Sequence, residues 1–432
     1  MTQRIGAIAR LLAAGAIAAT VPAATAGAQE MFGGKTIKVI IGYGPGGGYD
    51  IYARTMARHI GKYLPGKPNV VAQNMVGAGS LRAANYLYNQ APKNGTEFGM
   101  FARNLPILAF AGGTEQVRYD PLKFTWIGTS SSYTDDAYLM AIRKDTGITD
   151  INDLRQRGSK ELKFASTAFG STGHDIPLVL RETLGINVQV IHGYPGGNTL
   201  YLAVDRGEMD GRMLGYSSIK SAHREWLGKD SPVRFVLQFA RETRHPDFSD
   251  VPTAREMARS KADRDLIVMM EAPYFLARPF AGPPGIPADR TKALRDAFMA
   301  AHKDPDYVRE AGKLKIDVSP LDGGRVTEIV EEMSKFPRDL YDRYAKILAN
   351  PKSAPREIKW QIVEGKLTKL GKKGRFEFEA GGKGFKSRAQ NRYTKLSIDG
   401  KQAKSKALKA GMTCKIWYEG NGTSAGRMEC RN

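Results

Sequence analysis

The chain has 432 residues, with 65 Lys and Arg against 44 Asp and Glu, and a net charge of +21 concentrated after residue 350, where twenty basic residues face seven acidic ones. That length exceeds one ordinary domain and fits two or three, each able to bury its own core. Only two cysteines occur and the six histidines show no metal-ligand spacing, which excludes a disulfide-rich scaffold and a zinc module; no metal or cofactor is expected.

Taken in chain order, the N-terminus carries Arg4 and Arg10, an apolar run over residues 11–21 and the small triplet Ala26-Gly27-Ala28. That is the order of a cleavable secretory signal. The run falls short of the ~20 residues that span a bilayer, so residues 1–28 are read as a cleaved signal peptide and the mature chain as a soluble protein outside the cytoplasm. From Lys35 to Asp322, short β-branched runs alternate with amphipathic stretches, the signature of α/β units with largely parallel strands. Residues 37–41 predict a buried strand and 50–64 the helix after it. Residues 70–72 and 81–89 form a second such pair. The pattern recurs as 163–166 leading into 176–184, and as 188–191 leading into 200–206. The intervening turns fall at the carboxyl ends of strands, where open α/β sheets place their ligands.

Beyond a linker at 350–355 the pattern changes. Alternating segments such as 375–379 and 414–418, with turns at Asp399-Gly400 and Asn421-Gly422, predict a separate small β domain. Cys414 and Cys430 both fall within it, and in an oxidising compartment they are expected to form one local disulfide that offsets a thin core.

The segment Gly42-Tyr-Gly44-Pro-Gly46-Gly47-Gly48-Tyr49-Asp50 satisfies G-x-G-x-x-G between a strand and a helix. A dinucleotide site would end the next strand on an acidic residue to hold a ribose; here that strand ends on Gln73-Asn74. A smaller anion is favoured, because glycine lets the backbone approach a guest and helix-start N–H groups attract a carboxylate or phosphate. Asp50 suits the N-cap. Its charge would repel an anion in contact, so it is expected to organise the loop or hold bridging water. Gly77-Ala-Gly79-Ser80 and the stretch 166–174 open two further helices with small and hydroxyl residues, and the three turns are expected to converge on one anion site. No G-x-S-x-G elbow, no H-E-x-x-H and no convincing triad marks an enzyme.

A colinear series of short motifs runs through residues 30–348: Pro45-Gly-Gly-Gly-Tyr-Asp50, Asn74-Met-Val-Gly-Ala-Gly79, Gly170-Ser-Thr-Gly-His174, Tyr194-Pro-Gly-Gly197, Gly207-Glu-Met-Asp210 and Pro283-Pro-Gly-Ile-Pro287. In their order these resemble the periplasmic solute receptors of tripartite tricarboxylate transporters, the Bug family. The resemblance implies an α/β, type II periplasmic-binding-protein fold of two lobes with a hinge. The first lobe would occupy 29–133, the second 134–240 and a return to the first 241–349. The linker and small basic all-β domain, 350–432, lie outside it.

The resemblance further implies a small organic carboxylate held by Gly46, Gly47, Tyr49, Asp50, Gly79 and Ser80 of the first lobe. The second lobe would contribute Ser171, Thr172, Gly196, Gly197 and Asp210. A monomer would deliver the ligand to membrane permease subunits; an exported envelope adaptor or sensor that keeps the fold without transport is the alternative. Neither catalysis nor nucleic-acid binding is expected. For the basic domain, a merely solvated surface is favoured over attraction to an anionic envelope or a partner. Arg212 is read as a surface salt bridge in preference to a contact with a second carboxylate. His174 is read as a capping or packing residue, and Tyr133, Tyr194 and Tyr216 as core rather than cleft lining.

Overall fold

Strand β1 (Thr36–Ile41) buries Ile37, Val39, Ile40 and Ile41 and leaves Thr36 and Lys38 exposed. Ile37, Val39 and Ile41 enter one core with Tyr52, Met56 and Phe98, while Ile40 enters another with Leu87. Such a run suits the middle of a parallel sheet, and β1 pairs in parallel with β2 (Asn69–Asn74) and β3 (Glu97–Met100). The computed structural model describes residues 31–432 apart from 113–114, 134–135, 156–158, 350, 356–359, 391–393, 419, 421 and 423. The signal segment, Asn350 of the linker and the turn residue Asn421 therefore lie outside the described residues.

After β4 (Thr125–Thr129) the chain leaves for a second sheet. That sheet is built from β5 (Tyr138–Arg143), β6 (Leu162–Ser166), β7 (Val188–His192), β8 (Gly211–Gly215) and β9 (Val233–Phe239). The chain returns as β10 (Pro279–Gly282), followed by β11 (Leu321–Asp322) and β12 (Ser353–Pro355). The orders are β11-β4-β10-β3-β1-β2 and β12-β7-β6-β8-β5-β9. In each sheet the strand arriving from the other lobe, β10 or β5, runs antiparallel to both neighbours. This is the type II arrangement of two α/β lobes.

The two crossings meet as a hinge. Ser130 donates its N–H to the Arg278 carbonyl at 3.2 Å, and Ala277 donates to the Ser131 carbonyl at 3.0 Å. Residues beyond 240 do not all return to the first lobe. The helices Ala254–Met257 and Lys261–Glu271 pack on the second lobe, against β9 and the helix Thr172–Leu184, and β12 completes that lobe's sheet. Among the described residues no helix is long and apolar enough to cross a membrane.

The chain divides into two compact units, the first ending at Pro355 and the second running Arg356–Asn432. The second is a single seven-stranded sheet. Its strands are β13 (Gln361–Leu370), β14 (Arg375–Ala380), β15 (Lys383–Arg388), β16 (Lys395–Ile398), β17 (Lys401–Gln402), β18 (Thr413–Tyr418) and β19 (Ala425–Arg431). They lie in the order β15-β14-β13-β18-β19-β16-β17. The predicted segments 375–379 and 414–418 are β14 and β18. Asp399 and Gly400, at φ 47° and 78°, make the tight turn between β16 and β17 that their sequence suggests. Leu367, Phe376, Phe378, Ile416 and Met428 form its core, and a disulfide joins Cys414 to Cys430 directly across the β18–β19 pair.

Candidate functional site

The Gly-rich loop after β1 is held by its aspartate. Asp50 is 4% exposed; its carboxylate accepts the Gly46 N–H at 2.9 Å, the Arg54 Nε–H at 2.8 Å and the Asn74 amide at 2.7 Å. Asp50 therefore organises the loop, as its charge suggested, but from inside the first helical turn. The helix is Gly48–His59, shorter than the predicted 50–64, and its N-cap is Gly47 rather than Asp50. At Gly46, φ is 84°, a left-handed conformation that glycine adopts without strain.

Across the cleft, a second glycine turn meets this loop backbone to backbone. A Cβ placed on Gly44 would lie 3.1 Å from the Pro195 carbonyl oxygen, and one on Gly47 would lie 3.2 Å from the Gly197 nitrogen. A Cβ on Gly79 would likewise stand 3.1 Å from the Phe169 carbonyl oxygen of the second lobe. The lobes are thus closed on each other. At the rim Asn104 of the first lobe donates to the Gly170 carbonyl of the second at 2.6 Å.

Between the lobes lies a small cavity bordered by the N-termini of three helices: Gly48–His59, Thr172–Leu184 and Gly197–Asp205. First-turn N–H groups have no intrahelical acceptor and carry the positive end of the helix dipole. Hydroxyls complete them. Tyr138 donates to the Thr172 hydroxyl at 3.1 Å, which leaves the Thr172 proton available to a guest. Tyr49 accepts from the Arg103 backbone N–H at 3.2 Å and from its Nε–H at 3.1 Å, so its own proton is likewise available. Burial acts to raise the Tyr49 phenol, but Arg103 and Arg278 beside it outweigh burial and bring it below its usual range.

Of the residues predicted for the site, Gly47, Tyr49, Ser171, Thr172 and Gly197 line the cavity. Gly46, Asp50, Gly79, Ser80, Gly196 and Asp210 do not. The Ser80 hydroxyl accepts the Ala102 N–H at 3.1 Å behind the cleft. Gly196 donates to Thr199 at 3.3 Å. Asp210 accepts the Lys163 N–H at 2.8 Å and orders the start of β8. The turn at Gly77–Ser80 therefore supports the wall, and its expected place at the cavity is taken by the helix start at Gly197.

Three arginines at the cavity were missed or misjudged. Arg103 follows β3, Arg212 stands on β8 and Arg278 closes the hinge; they are 2%, 7% and 2% exposed. Arg212 is not a surface ion pair: its Nη1 donates to the Gly197 carbonyl at 3.1 Å and its guanidinium stacks 4.5 Å from the Tyr201 ring centre. Burial pulls its pKa below the usual guanidinium range. The residues around them are aromatic rather than acidic. Arg103 lies 4.5 Å from the Tyr274 ring centre and 5.2 Å from that of Tyr133, and Arg278 lies 4.9 Å from that of Tyr49. None of Tyr133, Tyr194 and Tyr216 lines the cavity; Tyr133 and Tyr194 are buried, as expected, whereas Tyr216 is half-buried and its hydroxyl bonds Asp247 at 2.7 Å. His174, fully buried, bonds Asp175 at 2.7 Å and Ser353 at 3.2 Å.

A cavity closed between two α/β lobes on a two-stranded hinge defines the class: the solute-receptor fold of type II. In sequence the chain is similar to a UPF0065 protein of Bordetella pertussis, 24% identical over 311 residues, 71% of this chain and 86% of that one. It is also similar to one of Cupriavidus necator, 24% identical over 324 residues, 73% of this chain and 89% of the relative. Among solved structures it resembles the periplasmic binding protein BugD (TM-score 0.57, 18% identity, 72% and 97% covered). MatC of Rhodopseudomonas palustris with bound malate is similar (TM-score 0.56, 21%, 72% and 98%), as is an R. palustris protein with adipate (TM-score 0.56, 19%, 74% and 98%). No family model matches the chain. The fold implied by the colinear motifs is thus the fold these solved structures share.

Proposed function

We propose that the first unit is a periplasmic receptor of the Bug type. It captures a small organic carboxylate between its lobes and delivers it to the permease of a tripartite tricarboxylate-type transporter. One observation carries this reading: the inter-lobe cavity is bordered by three helix N-termini and three buried guanidiniums, a lining that favours an anion. The malate and adipate of two structural neighbours agree with it. Among the residues at the cavity, Gly47, Tyr49, Thr172 and Gly197 are the proposed contacts from the predicted set. Binding by hinge closure needs no nucleophile and no metal, and the protein is not proposed as an enzyme.

The test is a melting experiment on protein refolded free of carried-over ligand, against mono-, di- and tricarboxylates. One class is expected to raise the melting point with concentration, by about 2.7 kcal/mol of stabilisation at a hundredfold excess over Kd. A flat response across the panel would overturn the receptor assignment.

A further inference from the structure

The cavity's arginines are unusual in lacking acids. Among the described residues, no carboxylate lies within ion-pair distance of Arg103, Arg212 or Arg278. The nearby acids are engaged elsewhere. Asp136 accepts the Ser217 N–H at 2.8 Å and bonds its hydroxyl at 2.5 Å. Asp205 accepts from Trp226 at 2.8 Å and bonds His223 at 2.9 Å, and Asp175 bonds His174 at 2.7 Å and Tyr344 at 2.5 Å. Each guanidinium also keeps an unsatisfied nitrogen: Nη1 of Arg103 and Nε of both Arg212 and Arg278 have no partner.

Burying a cation without a counter-charge is costly, and aromatic faces recover only part of the lost hydration. Three such cations on one small cavity leave a positive charge that the protein itself does not balance. They are also divided between the lobes. Arg103 and Arg278 come from the first lobe and its hinge, and Arg212 comes from β8 of the second.

We propose that Arg103, Arg212 and Arg278 select ligands by charge, so that the receptor takes a compact anion bearing at least two acidic groups. One group is held by the first-lobe pair and another by Arg212, and a monoanion is rejected. The proposal rests on the receptor reading above and sharpens it. It assigns specificity to three side chains outside the glycine-rich turns, and it makes the ligand's second charge the element that bridges the lobes.

The experiment compares one matched pair of ligands. Straight-chain and aromatic diacids are titrated calorimetrically into the full mature chain. The tightest is then compared with its own monoamide, which keeps size and shape and removes one charge. The monoamide is expected to bind about 100-fold more weakly, because it leaves a buried guanidinium unpaired. In Arg212→Gln the ratio is expected to fall below about tenfold, through loss of diacid affinity alone. Arg212→Lys, which restores the charge but not the planar fork, is expected to recover part of the preference. The ligand-free melting point of both variants serves as the folding control and is expected to stay level or rise, since a buried unpaired charge is removed or made more easily neutralised.

A wild-type ratio under about threefold would overturn the proposal, since an unpaired buried group costs more than that. Equal weakening of both ligands by Arg212→Gln would also overturn it. If no diacid binds while a monocarboxylate does, the proposal fails and the receptor reading stands; if mono-, di- and tricarboxylates are all silent, the receptor reading itself fails.

Discussion

At the residue scale, two positions make opposite kinds of claim. Gly47 is required by close approach, since any side chain there meets the Gly197 backbone of the other lobe. Gly47→Val is expected to hold the lobes apart and lower ligand affinity by about 100-fold or more with the fold intact, as read by calorimetry beside circular dichroism; unchanged affinity would remove the loop from the site. His302 concerns stability instead. Burial holds its imidazole at about 4, below the usual 6.5; Nδ1–H donates to the Phe298 carbonyl at 2.8 Å and Nε2 has no partner. The unfolded chain takes up this proton below pH 6.5 and the folded chain only near 4. The contribution is therefore complete above pH 6.5 and lost as pH falls towards 4, on the order of 3 kcal/mol at most. Urea unfolding at pH 7.5 and 4.5 should show a smaller acid loss in His302→Gln than in wild type, and equal losses would refute the assignment.

At the element scale, the β18–β19 pair carries the disulfide, which closes a sequence separation of 16 residues. A loop of that size corresponds to about 3 kcal/mol of stabilisation, a large fraction of what a small sheet can supply by burial. Reduction, or the pair Cys414→Ala with Cys430→Ala, is expected to lower the melting transition of the second unit. Calorimetric scans would register this as a shift in one transition, with ligand affinity in the first unit unaltered. Loss of affinity on reduction would show that the two units are not independent in function.

At the scale of the whole molecule, the boundary between the units matters for truncation. β12 (Ser353–Pro355) pairs with β7, Val190 donates to the Lys352 carbonyl at 2.9 Å, and Ser353 meets His174 at 3.2 Å. A cut after Pro355 is therefore expected to leave ligand affinity and the first unit's melting point unchanged. A cut after Ala349 removes an edge strand and leaves His174 Nε2 without this partner, and should lower that melting point by several degrees. Identical behaviour of the two truncations would deny β12 a structural role. Because the closed cleft confines uncompensated positive charge, the ligand-free protein is expected to be more open than the ligand-bound form, measurable as a larger radius of gyration in solution scattering.

Much of this was legible in the sequence, for a local reason. The alternation of β-branched runs with amphipathic helices, the glycine-rich turns at strand ends and the change to two-residue periodicity after the linker all express backbone and burial preferences within a few residues. They determined α/β units followed by a β domain, whereas the two lobes and the contacts Gly47, Tyr49, Ser171, Thr172 and Gly197, which line the cavity, came from the family resemblance of the colinear motifs. The resemblance also implied Gly46, Asp50, Gly79, Ser80, Gly196 and Asp210, which do not line it, because a shared motif does not reveal which of a turn's groups its own neighbours satisfy. Only the tertiary structure decided that Arg212 faces inward and that Arg103 and Arg278 join it. An arginine's neighbours are set by which strands meet across the hinge, so the gathering of three buried, acid-free guanidiniums is a property of the closed lobes that no stretch of this sequence states.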